Sequence, residues 1–556
     1  MRPDLAQDTL DSHAAVHDRT QFEVKFTYDV SAGNISQGKD DERYRIEAFF
    51  FFPRNMGVTA LNFPKEAFYR SLHAYIRFKT PILSELALLD PMDRQSPLNA
   101  ISFYLKRLNM GQGTAKDVAD AENEARLFGC VVSSQLKHYR HELERHLSAA
   151  KRHPADVGRW RELEGFLFDA LSTMDQLIGR YRMLVLDFRT TGLKLDPKFL
   201  AHLRQVDEFL TYRYDETLSG LHYQLSAIWE APERLERIIE RLRAVAEAEG
   251  RHRKAQGFVQ LAPSDEEALA LYTYRQSALK KLVEQVLYLD VKTVQETVRW
   301  RNLAAMFGAG AAAFFAGTGD RTIVFPLFVK NFWLAVAIFA ILYVIKDRMK
   351  EIGREYIWTR VSRYFPDNKL IVHDPVKDLN IGSCTERVRY ADKGKISKDV
   401  LSVRNFNHSI DLDEEREETV IVYQNDVTLN AREILASHQR RQDIKHILRF
   451  SVEDLFARMD NPTARVQFYD AASRLFCRLR APKVYHLNVV FRFTRWDDKN
   501  QKGEPTYQRI RVVLDKNGIH RIDSVVEGCR AHDLLPSIQR VRNTGPLHPP
   551  GEKTSA

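Results

Sequence analysis

The stretch LAAMFGAGAAAFFAGTGDRTIVFPLFVKNFWLAVAIFAILYVIKDRMK, residues 303–350, is an apolar island in a basic, highly charged chain. Residues 302–319 are 18 positions without a charge, and residues 322–345 are 24 positions with one, Lys330. As a helix the first run spans about 27 Å, close to the thickness of a hydrocarbon core. From Lys330 to Lys346 a helix rises about 24 Å, so both lysines could snorkel to opposite interfaces. The pattern predicts a two-helix transmembrane hairpin over 301–346, turning at "TGDR" (318–321).

The flanks agree with that reading. Arg299 and Arg301 precede the first run; Lys346, Arg348, Lys350 and Arg354 follow the second. By the positive-inside rule both ends face the cytoplasm, which places the chain in the cell (inner) membrane with both termini cytoplasmic. Trp300, Trp333, Lys330 and Lys346 are the expected interface anchors. Small residues recur at every fourth position: Ala304, Gly308, Ala312, Ala316. Such a row lets helix backbones approach closely, within the hairpin or between copies of the chain. Gly308-Ala-Gly310-Ala-Ala-Ala313 has the form G-x-G-x-x-A, but no strand precedes it and no acidic residue follows at the required distance. "GTGDRT" lacks the Lys-Ser or Lys-Thr of a phosphate loop.

Outward from the hairpin the pattern divides the chain. Residues 21–30 alternate apolar and polar, and "RYRIEAFFFF" (43–52) reads as a second strand. With a helix opened by Pro64 that carries Phe68, Leu72, Tyr75 and Ile76, these define an N-terminal α+β module, residues 1–112. Residues 113–300 repeat apolar positions every three or four residues and predict a helical bundle or coiled coil. Its last helix runs from Asp265 towards Trp300 without Pro or Gly. Residues 347–366 form a juxtamembrane helix. Residues 367–545 hold strand-like segments, including a hairpin turn at "DKNG" (515–518), and form a C-terminal α+β domain. Residues 546–556 are an expected disordered tail. The expected class is thus a multidomain α+β membrane protein.

Composition bounds the function. The chain has 556 residues and a formal net charge of +9. Its four cysteines are far apart with no CxxC pair, which argues against a zinc ribbon or disulfide framework and fits a reducing compartment. Asp4, Asp8, Asp11 and Asp18 occupy an N-terminus that lacks the apolar core of a signal peptide. His138, His141, Glu142 and His146 share a helix, but "HELERH" misses the H-E-x-x-H spacing. His373-Asp374 and His532-Asp533 are isolated HD pairs. No metal site and no cofactor is expected.

The C-terminal stretch 476–542 carries 14 Lys+Arg against 7 Asp+Glu, a balance of +7. Arg492, Arg495, Arg509, Arg511 and Arg521 interleave with aromatics there and form a polyanion-binding candidate. An anionic lipid surface is preferred over nucleic acid, because no RNA-binding signature accompanies them. The expected function is a membrane-anchored, cytoplasm-facing scaffold, sensor or signalling protein without a catalytic site. Its partners would be the lipid bilayer and a second copy or another protein. Two alternatives remain: an oligomeric membrane-perturbing effector and a metal-dependent hydrolase.

Overall fold

A computed structural model describes residues 12–28, 30, 41–153, 156–190, 195–226, 233–262, 264–294, 296–326, 331–361, 365–406, 418–438, 440, 443–496 and 503–530. The chain divides into two compact units. One comprises residues 1–76, 289–435 and 444–556; the other comprises 77–288 and 436–443.

The first unit is a β-sandwich. Its strands are β1 (Ser12–Val16), β2 (Gln21–Tyr28), β3 (Asp41–Pro53), β4 (Leu72–Phe78), β5 (Asp290–Val294), β6 (Asn368–Asp374) and β7 (Leu379–Ala391). They continue with β8 (Glu418–Asn430), β9 (Ile444–Ser451), β10 (Thr463–Asp470), β11 (Leu475–Pro482), β12 (Tyr485–Arg495), β13 (Thr506–Asp515) and β14 (Gly518–Arg530). The large sheet has the order β14-β13-β12-β3-β8-β7-β6-β5, and the small one β1-β2-β9-β4. The two ends of the chain, expected as separate modules, therefore share one sheet, with β3 paired to β8 and to β12.

The run Phe49-Phe50-Phe51-Phe52 explains why β3 is central. All four rings are buried. Alternation sends Phe50 and Phe52 between the sheets and Phe49 and Phe51 to the opposite face. Between the sheets Phe50 meets Phe450 at 4.8 Å, Phe26 meets Phe491 at 5.3 Å, and Tyr28 stacks on Tyr44 at 4.5 Å. On the opposite face the helix Lys398–Asn405 packs Val400 and Val403 onto Phe49, Phe51, Val420, Val422 and Val490. A strand buried on both faces reads as a continuous apolar run, not as alternation.

The second unit is built on long helices: Ala115–Arg152, Val157–Thr190, Pro197–Ser226, Glu233–Gln256 and Glu266–Glu284. Thr114 and Asp117 form a reciprocal capping box at the first of them. In its interior Arg182 bonds Asp207 at 2.9 Å, Glu249 at 2.7 and 2.8 Å, and Thr211 at 3.0 Å.

Several sequence expectations change here. The helix after Pro64 ends at Ser71, and Leu72, Tyr75 and Ile76 belong to β4. The last bundle helix ends at Glu284. The β-branched residues of "DVKTV" form β5 and pair with β6, so the helix does not continue to Trp300.

The largest correction concerns residues 301–346. Among the described residues no helix is long and apolar enough to cross a membrane. This overturns the membrane class, the transmembrane hairpin and the inner-membrane location. Two helices do form, Glu296–Gly319 and Phe332–Val361. The uncharged part of the second, 332–345, rises only about 21 Å before Lys346, Asp347 and Arg348, against the roughly 30 Å required. The first is dominated by alanine and glycine, which carry little transfer free energy. "TGDR" is not its turn, for a π-helical turn over Asp320–Val324 carries Asp320 and Arg321 onward. The juxtamembrane segment expected at 347–366 is the continuation of the second helix as far as Val361.

The two helices pack against each other. Gly353 approaches to where an added Cβ would lie 3.7 Å from the Gly308 Cα, and a Cβ on Gly319 would meet Leu342 at 3.3 Å. Gly308 and Ala312 are buried and Ala316 half-buried. Trp333 is exposed, and Lys346 places its ammonium 4.5 Å from the Tyr343 ring. Ala304 and Trp300 lie in the first helix, and Lys330 lies outside the described residues. The tail 546–556 and His532-Asp533 lie outside them as well.

Candidate functional site

The face of the large sheet that carries Phe49 is apolar under the Lys398–Asn405 helix and ionic beyond it. Two rows cross it by register. One is Val490–Phe49–Val422–Arg389 and the next is Arg492–Glu47–Gln424–Arg387. At the edge of the helix these rows leave a cleft of about 240 Å³. Phe49 and Val422 line it together with Arg389, Asp392, Lys395, Ser397 and Arg492.

The cations of the cleft differ in how they are held. Arg492 grips the buried Glu47 with two bonds and lies 5.5 Å from the Phe49 ring, so its charge is largely answered. Lys395 bonds Asp392 at 2.7 Å on the surface; the contact raises the lysine pKa and lowers that of the aspartate. Arg389 is exposed and makes no hydrogen bond or ion pair among the described residues. Ser397 precedes the helix without capping it, and its hydroxyl makes no hydrogen bond among the described residues. The cleft thus offers one free guanidinium fork, a screened ammonium and a hydroxyl above an aromatic floor. That set suits a small oxyanion, which accepts from a fork and from a hydroxyl.

A second cleft, of about 250 Å³ in the helical unit, holds Lys79 and Arg440. There Lys79 faces Asp443 at 3.4 Å and Arg440 bonds Glu124 at 2.6 Å, so both cations are answered internally.

The five arginines singled out in sequence do not form an open face. Arg509 is fully buried, bonded to the carbonyls of Val403 and Phe406 at the end of the Lys398–Asn405 helix and to Asn488 at 2.9 Å. Arg495 reaches Glu42 at 3.3 Å and lies 5.1 Å from the Tyr28 ring. Arg511 and Arg521 share Asp523, at 3.3 and 3.0 Å, and Arg521 is the exposed member. Only Arg492 borders the cleft. Arg389 and Lys395 were missed because nothing local distinguishes an arginine beside a cleft from one on a solvated strand.

Catalytic and metal constellations are scarce. Among the described residues no group of three His, Cys, Asp or Glu side chains is placed to hold a metal ion. His373 bonds Asn380 at 3.1 Å, and Asp374 is buried and accepts from the Val376 amide at 2.9 Å, so the HD pair ties a β-turn. His146 stacks on Phe166 at 5.1 Å, and His138 lies beside Tyr139. No known family, no curated protein and no solved structure matches this chain.

Proposed function

We propose that this protein is a binding scaffold or sensor, and that its sandwich receives an anionic group of the phosphate or carboxylate kind in the cleft beside Arg389. The observation that carries the reading is Arg389 itself. It is the cleft's uncommitted guanidinium, while Arg492 is spent on Glu47 and Lys395 on Asp392. An unanswered arginine beside a hydroxyl and above a ring is a receptor for an oxyanion. Exposed Phe307 and Phe314 on the helix Glu296–Gly319 and Trp333 on the helix Phe332–Val361 agree with a chain that meets a partner protein.

The test is thermal melting of the full chain in sodium phosphate, pyrophosphate and chloride at matched ionic strength. Binding to the folded state adds RT ln(1 + L/Kd) of stability, where L is the ligand concentration, so the midpoint rises with the logarithm of that concentration above Kd. Phosphate or pyrophosphate should raise it above chloride, and Arg389→Gln with Lys395→Gln should abolish the difference while leaving the midpoint in chloride unchanged. Equal midpoints in all three salts for the unaltered chain would end this reading.

A further inference from the structure

Strands β10 and β11 form a sheet of their own, a two-stranded antiparallel ribbon pairing Thr463 with Pro482 at its base and Asp470 with Leu475 at its tip. Nearly every residue of it is exposed. Eight residues of strand make it about 27 Å long. At the base the Lys483 amide donates to the Pro462 carbonyl at 2.8 Å, and Lys483 pairs with Asp460. At the tip the Asp470 carboxylate accepts from the amides of Ala472 and Ser473 and from the Ser473 hydroxyl at 2.6 Å, and Arg474 takes a positive φ of 52°.

The register sorts the side chains by face. Arg465 stands opposite Arg480, Gln467 opposite Arg478, and Tyr469 opposite Phe476. On the other face Val466 stands opposite Leu479 and Phe468 opposite Cys477. The ribbon is therefore basic and aromatic on one side and apolar on the other. Arg465, Arg474, Arg478 and Arg480 make no hydrogen bond or ion pair among the described residues. The only acid between residues 463 and 482 is Asp470, and it is committed to the turn. Tyr469 and Phe476 contact each other at 5.2 Å with planes tilted by 59°, and Phe476 is 88% exposed.

This arrangement costs stability. Like charges directly opposite destabilise a strand pair, and a lone two-stranded ribbon is marginal in water. An anionic ligand would remove the first cost and order the second. We infer that the Arg465–Arg478–Arg480 face of this ribbon, with Tyr469 and Phe476, binds a nucleic-acid strand. The guanidinium forks take phosphates, and the two rings offer their faces to an unstacked base. A lipid leaflet fits less well. It would need cations and aliphatic side chains on one side of the ribbon, whereas here Val466 and Leu479 point away from the arginines. The inference rests on the ribbon alone and is independent of the cleft at Arg389.

The experiment is fluorescence anisotropy of the full chain with labelled 20-nucleotide RNA and DNA single strands, and with the DNA duplex, from 50 to 200 mM salt. A single strand should bind, with affinity falling steeply as salt rises. The triple variant Arg465→Gln, Arg478→Gln, Arg480→Gln should weaken it at least 100-fold and flatten the log–log salt slope by about 2, since each lost phosphate contact removes roughly 0.7. Tyr469→Ala with Phe476→Ala should weaken it about tenfold or more and leave the salt slope in place. The triple variant relieves a repulsion, so its melting midpoint should not fall, which separates lost binding from lost folding. The inference is overturned if no strand or duplex binds at 50 mM salt, or if the triple variant binds within twofold of the unaltered chain. It is also overturned if the arginine changes abolish binding to vesicles with 30% phosphatidylserine while nucleic-acid binding is untouched. A duplex bound tenfold more tightly than either single strand would overturn the stacking role of Tyr469 and Phe476.

Discussion

Arg492 holds Glu47 through two N–H···O bonds, Nε to Oε2 at 2.6 Å and Nη2 to Oε1 at 2.7 Å, joining β12 to β3 across 445 positions of sequence. The carboxylate is 3% exposed and the guanidinium 18%. Glu47→Ala leaves that guanidinium poorly hydrated and unpaired, and should cost about 3 kcal/mol in urea unfolding. An apolar pair of similar volume, Glu47→Leu with Arg492→Met, should recover most of the loss, because neither desolvation penalty then remains. Additive losses in the double variant would mean the two side chains are not energetically coupled.

This pair also marks the limit of what the sequence discloses. The alternation of β2 and the three-and-four spacing of 125–147 and 160–188 are local, and the strand and helices they predict are present. The hairpin turn at "DKNG" is present too, where Asp515 pairs with Gly518. Which strands lie side by side is not local. The pairing of β3 with β8 and β12 decides that Arg492 meets Glu47 and that the chain's two ends make one sheet. The apolar run at 303–350 was legible as two helices; the charges within one turn of Ile345 decided against a membrane span. In the ribbon, Arg465, Arg478 and Arg480 were not singled out from sequence, because only the register brings them to one face.

His446 gives the sandwich a pH dependence of known sign. The ring is fully buried, its Nδ1 lies 3.4 Å from the Tyr44 hydroxyl, and its Nε2 has no partner among the described residues. Burial disfavours the imidazolium and lowers the pKa from 6.5 to about 4. Above pH 6.5 the ring is neutral in both states and its contribution is complete. As pH falls from 6.5 towards 4 the unfolded chain takes up a proton that the folded one refuses, so stability declines by an amount on the order of 3 kcal/mol. Against His446→Phe, which does not titrate, the unfolding free energy of the unaltered protein should fall across that window. Parallel curves for the two would show that the ring is not held neutral.

Three of the four cysteines, Cys130, Cys384 and Cys477, should separate by reactivity. Cys384 is buried, and desolvation pushes its thiol up to about 12. Cys130 is buried with its Sγ 3.5 Å from the Val283 carbonyl. Cys477 is half exposed on the ribbon. The thiolate is the reacting species, so brief alkylation of the native protein at pH 8, read by peptide mass spectrometry, should mark Cys477 well before the other two. In denaturant all three should react alike. Early labelling of Cys384 in the native state would contradict its burial.

Two glycines should respond with opposite sign to the same change. Gly518 closes the β13–β14 hairpin at a φ of +139°, and an added Cβ would lie 2.5 Å from the Arg19 carbonyl oxygen. That carbonyl is fixed, since it accepts from the Ile519 amide at 2.7 Å, while the Arg19 guanidinium donates to the Asn517 carbonyl at 3.2 Å. Neither backbone can yield without losing a bond, so Gly518→Ala should lower stability by about 2 kcal/mol or more. Gly165 sits exposed in the Val157–Thr190 helix with nothing within 4 Å of an added Cβ. There alanine restricts the unfolded chain and favours the helix, so Gly165→Ala should raise stability by about 0.5–1 kcal/mol. Urea midpoints at an unchanged slope would read both effects, and a neutral Gly518→Ala would show that the hairpin does not seat against Arg19.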